Sequence, residues 1–179
     1  MSITLRRYGP DSAAGIHGTV LDLHDAGHPP TAFPNCPDPR ARFSWLLESW
    51  TQEAGWECVI GYDGEVPVGF AHGAALAPGT SWWRCLLTPP DPAFTEETGL
   101  RTFALADLVV SPQWRGRGVA ARIHEGLLAG RPERRATLLV DTDHPKVQAL
   151  YESWGYSPIG PTMSFDHAER MTAMVRETC

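Results

Sequence analysis

Apolar residues recur along this chain at two spacings, and the order in which the spacings alternate sets out an α/β architecture. Residues 3–7 alternate briefly and predict a first strand. Ile16, Val20 and Leu23 then share a helical face, with Asp11 or Ser12 placed to cap that helix and Gly27 and the Pro29-Pro30 pair to stop it. A second helix begins at Asp38-Pro39, an N-cap followed by proline in the first turn, and carries the stripe Phe43, Leu46, Leu47 and Trp50. Residues 57–62 and 66–75 predict antiparallel strands around Asp63-Gly64, where positive φ favours a two-residue hairpin turn. A proline-rich connection follows over residues 76–101, with Pro78, Pro89, Pro90 and Pro92 and the pair Trp82-Trp83. Residues 103–110 are apolar except for Asp107, as in a buried strand. From Gly118 onward Val119, Ile123 and Leu127 recur every fourth residue, giving a helix an apolar face. Residues 137–140 predict another strand. In residues 145–154, Val147, Leu150, Tyr151 and Trp154 share a helical face that Gly155 ends. Residues 156–160 and 170–176 predict two closing strands.

The junction Ser111-Pro-Gln-Trp-Arg-Gly-Arg-Gly-Val-Ala-Ala121 joins a buried strand to an amphipathic helix. The first turn of a helix presents N–H groups without intrahelical partners, and glycines let a ligand approach the backbone without meeting a Cβ. Arg115 and Arg117, on either side of Gly116, add mobile positive charge, so the junction describes a site for a multiply charged anion such as a pyrophosphate. A solvated glycine-rich loop would have the same composition. Gly116-Arg-Gly118-Val-Ala-Ala121 also satisfies the dinucleotide pattern G-x-G-x-x-A, with Asp141 after the next strand as a ribose ligand. That pattern requires a turn straight from strand to first glycine, whereas Ser111 to Arg115 intervene here, and no series of βαβ units surrounds it.

Arg115-Gly-Arg-Gly118-Val-Ala120 resembles the (Gln/Arg)-x-x-Gly-x-(Gly/Ala) signature of the GNAT superfamily of acyl-CoA-dependent N-acyltransferases, and Leu108-Val-Val-Ser-Pro112 precedes it as that family's strand ending does. Ala149-Leu-Tyr-Glu-Ser-Trp-Gly-Tyr156 is similar to the family's Ala-x-x-Leu-Tyr-x-x-x-Gly-Phe region. Close matching covers residues 107–156. The chain departs from the family at His144, where many members carry an Asn that contacts the cofactor.

The resemblance implies one GNAT-like α/β domain over residues 1–179, with a mixed, mostly antiparallel sheet flanked by helices and splayed at the acyl-CoA site. It implies N-acetylation: acetyl-CoA as co-substrate and a primary amine, favoured as a small molecule, as acceptor. The backbone of Leu108, Val109 and Val110 would contact pantetheine and thioester. Arg115, Gly116, Arg117, Gly118, Val119 and Ala120 would hold the pyrophosphate, with His144 at the position of the cofactor-contacting Asn. The segment joining the first two helices would border the acceptor site, which makes His24, Asp25, His28 and Phe33 candidates there, although each residue type is also ordinary in loops. A catalytically silent acyl-CoA-binding or interaction module is the alternative for the same fold.

Two side chains are candidates for proton transfer. Asp107 is a charge in an apolar strand, so it must either find donors or face a wet cleft, where desolvation would raise its proton affinity and suit it as a base. Its plain alternative is a carboxylate tied to backbone or arginine donors. Tyr151 stands where the family places a general acid; a phenol titrates near 10 against about 8.5 for a thiol, so it remains protonated at neutral pH yet can donate to a departing thiolate. Its helical spacing alone reads as core. Trp82 and Trp83 either cover the core or form an aromatic wall over the acceptor.

Composition narrows the partners. At 179 residues, 42% hydrophobic and 20% charged, the chain has the make-up of a globular domain. A net charge of -6 argues against broad nucleic-acid binding and suits a cationic acceptor. With neither a leader-like start nor a membrane-length apolar run, the expectation is a cytoplasmic protein without a membrane partner, and a homodimer is left open. Cys36, Cys58, Cys85 and Cys179 lack C-x-x-C spacing and read as free thiols. His24-Asp-Ala-Gly-His28 has the spacing of H-E-x-x-H, but Gly27 and Pro29 interrupt the helix that would align two zinc ligands, so no metal is expected.

Overall fold

Strand β1 (Ile3–Tyr8) forms from the short alternating start and pairs antiparallel with β2 (Glu57–Asp63), which pairs antiparallel with β3 (Val66–Ala75). Helices α1 (Ala13–Gly27) and α2 (Pro39–Thr51) lie between β1 and β2 in sequence, and α3 (Pro92–Thr95) is a single turn within the proline-rich connection. Then come β4 (Thr102–Val110), α4 (Val119–Leu128), β5 (Arg135–Asp141), α5 (Pro145–Ser153), β6 (Ser157–Met163) and β7 (Arg170–Glu177). The computed structural model describes residues 3–29, 32–33, 35–88, 90–163 and 170–178; Pro30, Pro89 and Cys179 lie outside them. Hydrogen bonding orders the strands β1-β2-β3-β4-β5-β7-β6, a mixed, mostly antiparallel sheet in which β4–β5 is a parallel pair. The chain divides into two compact units, Met1–Ala74 with Asp107–Ala129, and Ala75–Ala106 with Gly130–Cys179.

In the first unit the sheet residues alternate between two packed faces. Cys58, Ile60 and Tyr62 of β2 and Phe70 and Ala74 of β3 join Ile16, Val20, Leu21 and Leu23 of α1 and Phe43 and Leu47 of α2 in one buried cluster. The intervening position Gly61 faces Ile123 of α4, whose Cδ1 lies 3.1 Å from where a Cβ would stand. Asp38 caps α2 as expected, its Oδ1 accepting from Ala41 N at 2.9 Å. Arg40 of α2 bonds Asp22 of α1 at 2.8 Å and also Asp25. The hairpin turn falls one residue later than the sequence suggests. Asp63 still pairs with Val66, so Gly64 and Glu65 form the loop and Gly64 takes φ of +58° at its first position.

The second unit explains the paired tryptophans. Glu97 Oε1 accepts from Trp83 Nε1 at 2.9 Å, Thr102 Oγ1 at 2.7 Å and Arg135 Nη2 at 3.0 Å. Arg135 Nε donates to Thr102 Oγ1 at 2.7 Å, and its guanidinium lies 4.3 Å from the Phe94 ring centroid. Both charged side chains are enclosed, Glu97 at 0% and Arg135 at 4% exposure. Trp83 is thereby a structural residue that pins the long connection to β4 and β5, and Trp82 is buried beside it in sequence. Removing one member of an enclosed ion pair strands the other charge. Arg135→Met is therefore expected to cost roughly 3–5 kcal/mol in urea unfolding, and Arg135→Met combined with Glu97→Leu to cost less than the single change.

Helix α5 departs from its expected apolar stripe. Only Tyr151 is buried; Val147 and Leu150 are 42% and 43% exposed, and Trp154 is half-buried. Shared spacing tells which residues face the same way, but how much of that face is covered depends on what packs on it. Among the described residues no helix is long and apolar enough to cross a membrane.

Candidate functional site

Strand β4 holds its parallel partner β5 over three residue pairs, Thr102–Ala104 against Arg135–Thr137. The strand continues to Val110, and Ser111 N donates to Val68 O at 2.9 Å before a short turn at Pro112–Trp114. Gly116 and Gly118 follow with φ of +71° and +75°, and a Cβ at either would meet nothing within 4 Å. Gly118 is the N-cap of α4, so two left-handed glycines open the backbone directly ahead of that helix's unpartnered first-turn N–H groups. Val119, at the start of α4, is buried, and Ala120 is partly exposed. The combination has the backbone geometry that an anion cradle requires.

Arg115 is not a mobile charge: its Nε donates to Val110 O at 3.0 Å and its Nη2 to Gly27 O at 2.5 Å. A cation at the C-terminus of α1 meets carbonyls that the helix leaves unpaired, so Arg115 ties α1 to the end of β4. Close packing there explains Gly27 as more than a helix stop, since its Cβ would stand 2.1 Å from Val109 Cγ1. The Arg117 guanidinium lies 5.3 Å from the Trp114 ring centroid.

Asp107 is partly enclosed, with a side chain 34% exposed, and lies on β4 two residues before Val109 of the α1–α2 cluster. Its Oδ2 lies 3.0 Å from His72 Nε2, and His72 is wholly buried on β3. Burial pushes the carboxyl pKa up, but the His72 hydrogen bond and the nearby His72, His24 and His28 outweigh it, leaving the pKa below the ordinary value. The expectation of a raised proton affinity is thus corrected: the donors that Asp107 finds are imidazoles, and they favour the carboxylate. A carboxyl with a lower pKa folded than unfolded stabilises the fold above the ordinary carboxylate range and loses that contribution as pH falls through the folded value.

His24 and His28 bring α1 to the same group. His24 stacks on Phe43 with centroids 3.8 Å apart and on Phe33 at 5.8 Å, and burial, followed by the proximity of His28, lowers its pKa against the pull of Asp107 and Asp25. The helix ends at Gly27 with His28 extended beyond it, and His28 Nδ1 bonds His24 O at 2.8 Å. The two rings are tilted with centroids 4.4 Å apart, and among the described residues there is no group of three or more His, Cys, Asp or Glu that could hold a metal ion.

Residues of the second unit carry the other motif. Tyr151 is buried with its ring edge-on to Trp154 and Tyr156, at 5.2 and 5.6 Å between centroids. His144 is the N-cap residue of α5, with an exposed side chain 3.6 Å from Asp141. The structure thus bonds His72 to the Asp107 carboxylate with His24 and His28 near enough to act on it electrostatically, and places Leu108, Val109 and Val110 on the strand leading to the glycine junction. His72 and Trp56 were missed by sequence reasoning. The signal was there: His72 interrupts the apolar stretch 66–75 as Asp107 interrupts 103–110.

The acetyltransferase (GNAT) family pattern matches residues 20–156, and the chain belongs to that family, whose members are acyl-transfer proteins. No curated protein matches the sequence. Solved structures share the fold. PH1933 from Pyrococcus horikoshii OT3 aligns at a TM-score of 0.70 with 14% identity over 99% of both chains. An acetyltransferase from Thermus thermophilus aligns at 0.65 with 18% identity, over 99% of this chain and 98% of that one. A chain of the NatC complex bound to Gag peptide and CoA aligns at 0.64 with 14% identity over 100% of both.

Proposed function

We propose that this protein is an N-acetyltransferase that moves an acetyl group from acetyl-CoA directly to a primary amine of a small acceptor. The observation that carries this reading is the cradle at Gly116 and Gly118, where open left-handed glycines precede α4. CoA in the NatC structure, which has the same fold, supports acyl-CoA as the ligand. The residues present fit such a ligand: backbone N–H groups of residues 116–120 for pyrophosphate, and the backbone of Leu108, Val109 and Val110 for pantetheine and thioester. His144, the N-cap residue of α5, stands where many family members carry a cofactor-contacting Asn.

The transfer requires the acceptor ammonium to lose a proton before its nitrogen attacks the thioester carbonyl carbon. The C–N bond then forms, the nitrogen loses its second proton to solvent, the C–S bond breaks, and the CoA sulfur takes up a proton. Asp107 suits the first task as a carboxylate that attracts the ammonium and passes its proton to water, since a lowered pKa makes it a better anchor than a strong base. Tyr151 is the proposed donor to sulfur, supported by its motif position. The net charge of -6 suits a cationic acceptor. Thiol release from acetyl-CoA across antibiotics, polyamines, amino acids and peptides tests the reading; CoA binding with no acetyl transfer to any acceptor would favour the silent module.

Asp107→Asn is expected to lower turnover on the order of 10²-fold, the low end for acid–base assistance. The gap between the two proteins should widen as pH falls, because more acceptor is protonated while Asp107 stays ionised down past the ordinary carboxylate range. Equal rates at every pH, with equal thermal stability, would leave Asp107 a structural residue.

A further inference from the structure

Two buried rings and a partly enclosed carboxylate in the first unit form a chain with only one consistent direction. Trp56 and His72 are 1% and 0% exposed, and Trp56 Nε1 lies 3.3 Å from His72 Nδ1. An indole N–H can only donate, so Nδ1 must accept. The imidazole is then the Nε2–H tautomer, and that N–H points its proton at Asp107 Oδ2, 3.0 Å away. Rings enclose the relay: Phe70 stacks on His72 at 6.1 Å between centroids, Trp50 meets it edge-on at 6.3 Å, and Phe43 lies at 6.5 Å. A buried indole and imidazole aligned in this way do more than fill space, because the aromatic shell could have been completed by apolar rings without burying either N–H.

We propose that Trp56 and His72 are positioning residues for Asp107: the indole fixes the imidazole tautomer, and the imidazole N–H engages Oδ2 and leaves Oδ1 to the acceptor's ammonium. The inference rests on the reading of Asp107 as the acceptor-facing carboxylate. Neither residue touches the reacting atoms. Both act by fixing the carboxylate's orientation and by preventing the ring from presenting a lone pair to it, which would repel the carboxylate and turn it away. The other titratable groups facing Asp107 are His24 and His28 from the end of α1, with Asp25 beside His24.

The test combines a spectroscopic and a kinetic measurement on the full chain. Nitrogen NMR of the imidazoles in the wild-type protein should show His72 protonated at Nε2 and bare at Nδ1 near neutral pH; Trp56→Phe, which keeps a ring but removes the donor, should give a mixture of tautomers. His72→Leu should lower kcat/KM for the acceptor by about 10- to 10²-fold, the scale of a misplaced reacting group, while leaving CoA affinity unchanged. His72→Gln should recover most of that loss, because a carboxamide can accept from the indole and donate to the carboxylate. Wild-type spectra with the proton on Nδ1 would overturn the relay whatever the kinetics. The expected tautomer together with an Asp107→Asn variant of wild-type activity would instead overturn the reading of Asp107, and the proposal with it. A folded His72→Leu variant with unchanged kcat/KM across pH would also overturn it, and if that variant does not fold, Trp56→Phe with unaltered tautomer and rate does the same.

Discussion

Gly118→Glu is expected to leave a folded protein that no longer binds CoA measurably. Residue 118 sits at φ +75° immediately before α4, and no protein atom lies within 4 Å of where its Cβ would project. A side chain there would project into the proposed cradle. The left-handed conformation itself costs a non-glycine residue about 1–2 kcal/mol, a loss that a folded domain can absorb. The ligand bears the larger effect. A carboxylate at the helix N-terminus occupies the position of most positive potential and repels a pyrophosphate that would take it, so at least about 100-fold loss of affinity, near 2.8 kcal/mol, is the expectation. Gly118→Ala separates the causes by carrying the strain without the charge, and should lose less. Calorimetry with CoA measures both, with NAD as the control for the competing dinucleotide pattern. Wild-type CoA affinity in a folded Gly118→Glu protein would remove the cradle as the ligand site.

Most of the fold was legible because its elements carry local signals. The Asp38-Pro39 helix start, the apolar stretch of β4 and the four-residue spacing of α4 are all decided by residues close in sequence, and each appears where expected. The failures share the opposite property. Arg115 reads locally as a free cation beside glycines, but its acceptors include Gly27 O, 88 residues away in sequence. The α5 stripe reads as an apolar face, yet only packing decides that Val147 and Leu150 stay exposed. Trp83 was ambiguous until Glu97 and Arg135 supplied its partners from the far ends of the same network. Asp107 was recognisable as exceptional, but its proton affinity depends on His72, 35 residues earlier, and the direction of the shift could not be read without that partner. Burial alone pushes a carboxyl up; it takes the identity of the enclosed donor to reverse the sign.

Tyr151→Phe is expected to reduce kcat by roughly 10²- to 10⁴-fold while leaving CoA affinity and thermal stability close to wild type. The phenyl ring of Tyr151 accounts for its packing: it is buried and edge-on to Trp154 and Tyr156, contacts that phenylalanine retains. What the substitution removes is the hydroxyl, and with it the proposed proton for the sulfur left when the C–S bond breaks. A phenol ordinarily titrates near 10, so it stays protonated at neutral pH and can hydrogen-bond the sulfur as negative charge develops there, and the assistance falls on the transition state. Accordingly kcat and kcat/KM should fall together, without a compensating change in KM for acetyl-CoA. Water reaching an open cleft would shrink the loss towards the lower end of the range, and a solvent-isotope comparison of the two proteins would report that substitution. Steady-state kinetics with the best acceptor from the thiol-release panel, run under conditions where chemistry limits the rate, is the deciding measurement. A Tyr151→Phe protein as fast as wild type would make the residue a core tyrosine, held by the same ring contacts that spacing on α5 predicts, and proton delivery to the thiolate would pass to solvent.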